Sequence, residues 1–234
     1  MSRKAVHRLY GRRRGPRLKP RQLALLEREL PRLAVSPDEP GLARPAGLFA
    51  PPVEAVWLEI GFGAGEHLLW QARRHPGIGI IGCEPFVNGV AKLVARVHDE
   101  ALANIRLHHG DARDILTALG PATIARVFLL FPDPWPKTRH HKRRLVNAWT
   151  LAQLHRVMVP GGELRFASDA AGYVRWTLRE MAMHGGFEWS AESAADWRLR
   201  PSDWPPTRYD AKARAAGRAP VYLSFRRDHG SALE

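Results

Sequence analysis

The chain has one cysteine, Cys83, so it has no internal disulfide to rely on, and a reducing, cytoplasmic setting is the expectation. It has no CxxC pair and no HExxH, which argues against a structural zinc site or a zincin centre, and no metal is expected. No run of 18 apolar residues occurs, so a membrane-spanning helix is not expected. The basic N-terminus lacks the apolar core of a secretory signal. Acidic residues are also scarce, 23 against 36 Lys and Arg, for a formal net charge of +13.

That charge is unevenly placed. Residues 1–21 carry nine Lys and Arg and no acid, and residues 137–144 carry five more, while the remainder is close to neutral. Two basic patches on a neutral body suggest a polyanionic partner, because each neutralised phosphate releases counterions. An arginine-rich composition alone is the bland alternative for the first patch. With 234 residues, 45% apolar and 25% charged, the chain suits one soluble α/β domain with modest additions.

Residues 1–20 hold Gly, Pro, Arg and Lys with few apolar groups and read as a flexible basic arm. Residues 21–55 read as an N-terminal helix followed by a proline-rich loop, with Leu23, Leu26, Leu30 and Leu33 at helical spacing despite Pro31. From residue 56 to about 228 short apolar runs alternate with helical patterns. Val56–Ile60, Ile78–Gly82, Ile105–Leu107, Val127–Phe131, Glu163–Ala167 and Val221–Phe225 read as strands, and 66–74, 88–99, 141–158 and 170–184 as helices. Such alternation predicts a Rossmann-like, doubly wound α/β sheet, mostly parallel with an antiparallel C-terminal strand, and helices on both faces.

Ligands of such sheets bind at the carboxyl ends of the strands. The first strand runs into Glu59-Ile60-Gly61-Phe62-Gly63-Ala64-Gly65, a turn where glycines let a ligand approach the backbone. Glu66 stands where a dinucleotide fingerprint has its third glycine, and its carboxylate competes with a pyrophosphate, which disfavours NAD. An adenosyl ligand without phosphate fits better. Glu84, at the end of the second strand, can accept ribose hydroxyls, and Asp111, after the third, can receive an adenine amino group. Acids and glycines in this register form the pattern of class I methyltransferases that use S-adenosyl-L-methionine. For Glu59, Glu84 and Asp111 singly, capping of the following helix is the structural alternative.

The fourth strand leads into Phe131-Pro132-Asp133-Pro134-Trp135-Pro136-Lys137-Thr138-Arg139-His140-His141-Lys142-Arg143-Arg144-Leu145. The prolines stiffen a loop that holds Asp133 at the strand end, and Trp135 can lie on a base or on the loop itself. This stretch resembles the signature of the bacterial tRNA (guanine-N(7)-)-methyltransferases. The resemblance extends through LEIGFGAGEHL at 58–68, GDA at 110–112, PGGELRFASD at 160–169 and Thr207-Arg208-Tyr209-Asp210, which alters a T-K-F-E element conservatively.

The resemblance implies transfer of a methyl group from S-adenosyl-L-methionine to N7 of a guanine in tRNA, in the variable loop. It implies that Glu59, Gly61, Gly63, Glu84, Asp111 and Asp133 line the cofactor site, with Asp133 nearest the reaction. Lys137, Asp169, Thr207, Arg208, Tyr209 and Asp210 are then expected at the substrate, and Arg139, His140, His141, Lys142, Arg143 and Arg144 on the RNA. Helix capping is the alternative for Asp169. Asp133 is expected either to stabilise charge that develops on the guanine or to orient its N1–N2 edge.

Other readings remain open from the residues. An amino-group methyltransferase of bases places its aromatic one position later than Trp135, a non-catalytic RNA-binding module has no use for intact acids at four strand ends, and a small-molecule methyltransferase leaves both basic patches idle. Monomer and homodimer are equally compatible with the sequence.

Overall fold

A computed structural model of the chain describes residues 9–229; the first eight residues of the expected arm lie outside the described residues. Seven strands form one sheet in the order β3-β2-β1-β4-β5-β7-β6. They are β1 (Ala55–Ile60), β2 (Ile78–Cys83), β3 (Ile105–His108), β4 (Ile124–Leu130), β5 (Met158–Ser168), β6 (Phe187–Trp189) and β7 (Val221–Arg227). Strands β1 to β5 pair in parallel, and β7 runs antiparallel to both β5 and β6. The eight α-helices among the described residues are α1 (Pro20–Leu33), α2 (Glu66–Arg74), α3 (Val87–Asp99), α4 (Ala112–Ala118), α5 (Ala148–Val157), α6 (Ala171–His184), α7 (Ala195–Arg198) and α8 (Arg208–Ala215).

Strand parity sorts the core into two layers. In β1, Val56, Leu58 and Ile60 point into the larger apolar cluster, shared with α4, α5 and α6. Trp57, one residue out of phase, points into the smaller cluster built by α1, α2 and α3, where it meets Phe128 of β4 edge-on at 5.7 Å. Both faces are thus covered, as a parallel sheet requires. The order reverses between β1 and β4, so their carboxyl ends diverge and leave a crevice.

Several boundaries differ from the sequence expectation for identifiable reasons. Helix α5 starts at Ala148 rather than near 141, because Asn147 caps it through a bond from the Thr150 N–H at 3.1 Å, while Thr138–Arg143 winds as a 3-10 helix. Strand β4 ends at Leu130 because Phe131 adopts φ +52. Strand β6 has three residues, too few to show a period. In α1 the buried positions are Leu25, Glu29 and Leu33, while Leu23 is exposed.

Candidate functional site

A cleft of about 410 Å³ opens at the carboxyl ends of β1, β2 and β4. The wall at β1 and β2 is backbone as much as side chain. Gly61, Gly63 and Gly65 all take positive φ, and a Cβ on Gly61 would meet no atom within 4 Å, so open space lies in front of it. Gly89 of α3 approaches so closely that a Cβ there would sit 2.1 Å from the Gly63 carbonyl oxygen. The turn is thereby pinned from behind by helix α3.

Glu84 follows β2 and is buried on the cleft wall. Its two oxygens accept the Gly63 N–H at 2.7 Å and the Phe86 N–H at 2.9 Å, which fixes the carboxylate plane. Burial pushes its carboxyl above the usual range, against the pull of those two N–H groups and with a contribution from Asp133. Asp111 caps α4 by accepting the Arg113 N–H at 3.0 Å and pairs with the Arg113 guanidinium at 2.5 Å, yet it also borders the cleft. Capping and a site on the cleft coexist in this residue.

Asp133 stands across the cleft, after β4. Its side chain reaches solvent at the mouth, while the surrounding protein withdraws enough water to push its carboxyl above the usual range. The flanking backbone is unusual: Phe131 and Trp135 take φ +52 and +42, a region that costs non-glycine residues about 1–3 kcal/mol each. What stabilises that shape is Arg144. It is 4% exposed, donates from Nε to the Pro134 carbonyl at 2.9 Å, and lies over the rings of Tyr173 and Trp176 at 5.1 and 5.0 Å. The Tyr173 hydroxyl accepts the Val146 N–H at 3.2 Å and is pushed up to about 12 by burial.

The remaining expected residues divide. Lys137, Arg139 and Lys142 are exposed, and Lys142 borders the cleft. Arg143 lies over the rings of Trp135 and Tyr10, at 4.9 and 4.6 Å. His140 meets Trp135 edge-on at 5.9 Å, and desolvation and four neighbouring cations push it below its ordinary value. His141 sits against Trp176 at 5.3 Å. Tyr209 stacks on Phe131 at 6.3 Å, borders the cleft and carries the Arg208 guanidinium at 4.9 Å, and the Arg208 N–H donates to Glu66 at 3.0 Å. The Thr207 hydroxyl caps α8.

Four residues are turned away from the places expected for them. Arg144 is spent inside the loop and presents no charge to a phosphate. Glu59 shares its strand face with Trp57 and is buried, bonded to Nδ1 of His67 at 2.7 Å; it borders a small void beside the cleft rather than the cleft itself. Asp210 is buried and bonded to the Tyr222 hydroxyl at 3.0 Å and to Arg214 at 2.9 Å. Asp169 pairs with Arg218 at 2.6 Å and does not cap α6, whose N-cap is Ala170. The sequence reading missed Leu9, Tyr10 and Arg12, which border the cleft from the arm, and nothing in their composition signals it.

Among the described residues, no helix is long and apolar enough to cross a membrane, and no group of three or more His, Cys, Asp or Glu could hold a metal. A family model described as "Putative methyltransferase" matches residues 53–223. A tRNA (guanine-N(7)-)-methyltransferase of Chelativorans sp. (strain BNC1) is 51% identical over 216 residues, covering 92% of this chain and 93% of that protein. One of Rhodospirillum rubrum is 48% identical, covering 94% and 88%. Among solved structures, the 16S rRNA methyltransferase KamB aligns with a TM-score of 0.54 at 16% identity, covering 75% of this chain and 89% of that one. An antibiotic-related methyltransferase aligns at 0.55 and 15% identity, covering 82% and 94%. At such identities these two show a shared class I methyltransferase fold.

Proposed function

The chain belongs to the tRNA (guanine-N(7)-)-methyltransferase family, and we propose that it carries out the reaction of that name, moving a methyl group from S-adenosyl-L-methionine to guanine N7 in tRNA. The observation that carries the proposal is Asp133 facing Glu84 and Asp111 across one cleft with exposed cations on its rim. The cleft suits the methyl donor: Glu84 is an oriented carboxylate for ribose hydroxyls, Asp111 an acceptor for an amino group, and the space before Gly61 is open. When bound, that cofactor supplies an electrophilic methyl group on a sulfonium.

Guanine N7 presents an in-plane lone pair and no proton, so no general base is needed. The ring gains positive charge as the methyl arrives, and a carboxylate held there stabilises that state more than the ground state. Asp133, at the cleft after β4, has the position and the chemistry for this. Phe131 and Tyr209, stacked together at the cleft, narrow the space in which the ring and the methyl group align. Lys137, Arg139 and Lys142, exposed on the segment that follows Asp133, suit contacts to phosphates that orient the RNA. Tyr209 borders the acceptor side of the cleft with the Arg208 guanidinium over its ring, while Asp210 supports α8 from within and Asp169 is held by Arg218. We assign the variable loop as the target and the cytoplasm as the location on the family resemblance.

The test is incubation of the purified protein with unmodified tRNA and S-adenosyl-L-methionine, followed by nucleoside mass spectrometry. Formation of 7-methylguanosine that disappears in Asp133→Ala is expected. Bound cofactor without that product would move the assignment to another acceptor or to a non-catalytic RNA-binding protein.

A further inference from the structure

The arm does not stop at the edge of the domain. Its far end is tied to helix α3: the Val87 N–H donates to the Arg13 carbonyl at 3.1 Å, the Gly15 N–H to Asn88 Oδ1 at 2.6 Å, and Asn88 Nδ2 to the Pro16 carbonyl at 2.7 Å. From there it crosses the mouth of the cleft. Gly11, at φ +106, passes so near Asp133 that a Cβ on it would lie 3.3 Å from Oδ2. Tyr10 then lies against the Arg143 guanidinium at 4.6 Å and meets Trp135 edge-on at 6.2 Å. The same guanidinium covers Trp135 at 4.9 Å, so Arg143 is shared by two rings.

An arginine plane beside an aromatic ring is how proteins hold unstacked nucleobases. Here that platform stands two residues from Asp133 and already carries a planar ring, one the chain supplies itself. The segment that delivers the ring is easily recruited elsewhere: Gly11, Arg12, Arg13 and Arg14 are exposed, and the three guanidiniums attract the polyanion that has to approach Asp133.

We propose that Arg143 and Trp135 form a nucleobase-stacking slot on the acceptor side of the site, that Tyr10 fills it while RNA is absent, and that a base of the RNA takes the place of Tyr10 on binding. The exchange trades one ring for another on the same guanidinium, so the platform stays covered throughout. This rests on RNA being the substrate.

The sign of one substitution tests it. Steady-state methylation of unmodified tRNA is measured at saturating cofactor for wild type, Tyr10→Ala, Tyr10→Phe and Trp135→Ala. If the wild type forms no 7-methylguanosine, the substrate reading fails before the slot is tested. If it does, Tyr10→Ala removes a competitor, and its KM for tRNA should fall about two- to fivefold with kcat retained. Tyr10→Phe keeps the ring and should match wild type. Trp135→Ala removes part of the platform and should raise KM about tenfold. In direct binding, Tyr10→Ala should shift affinity equally at all salt concentrations, because it removes a ring and not a charge. A KM for Tyr10→Ala that is unchanged or raised overturns the exchange, as does a Tyr10→Phe that behaves like Tyr10→Ala.

Discussion

The two walls of the cleft are built on different principles. The wall at β1, β2 and β3 is made of turns pinned by close packing and of carboxylates whose geometry is set by backbone N–H groups, as with Glu84 and Asp111. The wall after β4 is made of left-handed residues, stacked rings and exposed cations, anchored at one buried arginine, Arg144. The first wall is shaped before any ligand arrives. The second keeps its groups accessible to a large, charged and variable partner. A site that joins a small constant ligand to a macromolecule has reason to be rigid on one side and adaptable on the other.

Substitutions can break that contrast, and the largest effect belongs to the second wall. Asp133→Asn should lower turnover by about 10²–10³-fold while cofactor affinity, read by calorimetry, changes little. An equal loss in both would remove Asp133 from the reacting atoms and place it on the first wall. Gly89→Ala should do the reverse, driving a methyl group into the Gly63 carbonyl, with about 1–3 kcal/mol lost in a thermal melt and cofactor binding impaired while RNA still binds.

A smaller change is expected behind the first wall. His67→Ala leaves the buried Glu59 without its partner, and a denaturant titration should show about 1–3 kcal/mol of destabilisation. Joint replacement of Lys137, Arg139 and Lys142 by Gln should leave stability alone and flatten the salt dependence of RNA binding by about 0.7–0.9 per cation that contacts a phosphate. Arg144→Gln should instead destabilise the loop. Smallest is a shift along the pH axis. Because desolvation raises the Asp133 carboxyl, its charge is lost at a higher pH than that of a free carboxylate as the solution is acidified. The acid limb of kcat should therefore lie above the ordinary aspartate value and vanish in Asp133→Asn. A limb at or below that value would show the carboxylate to be better solvated than its surroundings imply.

The first wall was far more legible in the sequence than the second. Glycines at a strand end and acids at successive strand ends are local signals, and Gly61, Gly63, Glu84 and Asp111 do meet in one cleft. Glu59 misled because type and register were weighed without parity: it shares a face with Trp57, and that face belongs to α2. On the second wall the motif located the loop but not which cations stay outside. Arg143 and Arg144 are neighbours in a run of like charge, and the Pro134 carbonyl together with the rings of Tyr173 and Trp176, some thirty residues on, draws the second one inward. Asp210 is likewise claimed by Tyr222 across the chain. The arm was least legible, since Gly-, Arg- and Pro-rich sequence carries no periodicity, and its anchor, Asn88, lies on a helix more than seventy residues away.

The lone cysteine ends β2 and borders the same cleft as Glu84 and Asp133. Complete burial, with Asp111 and Glu84 close by, drives its thiol far above the ordinary range. A thiolate is a strong nucleophile toward soft carbon electrophiles, and a sulfonium methyl group is one. Cys83 is thus a soft nucleophile lodged in the wall of a methyltransferase's cleft, and burial first, with the neighbouring carboxylates adding to it, holds it in its unreactive thiol form.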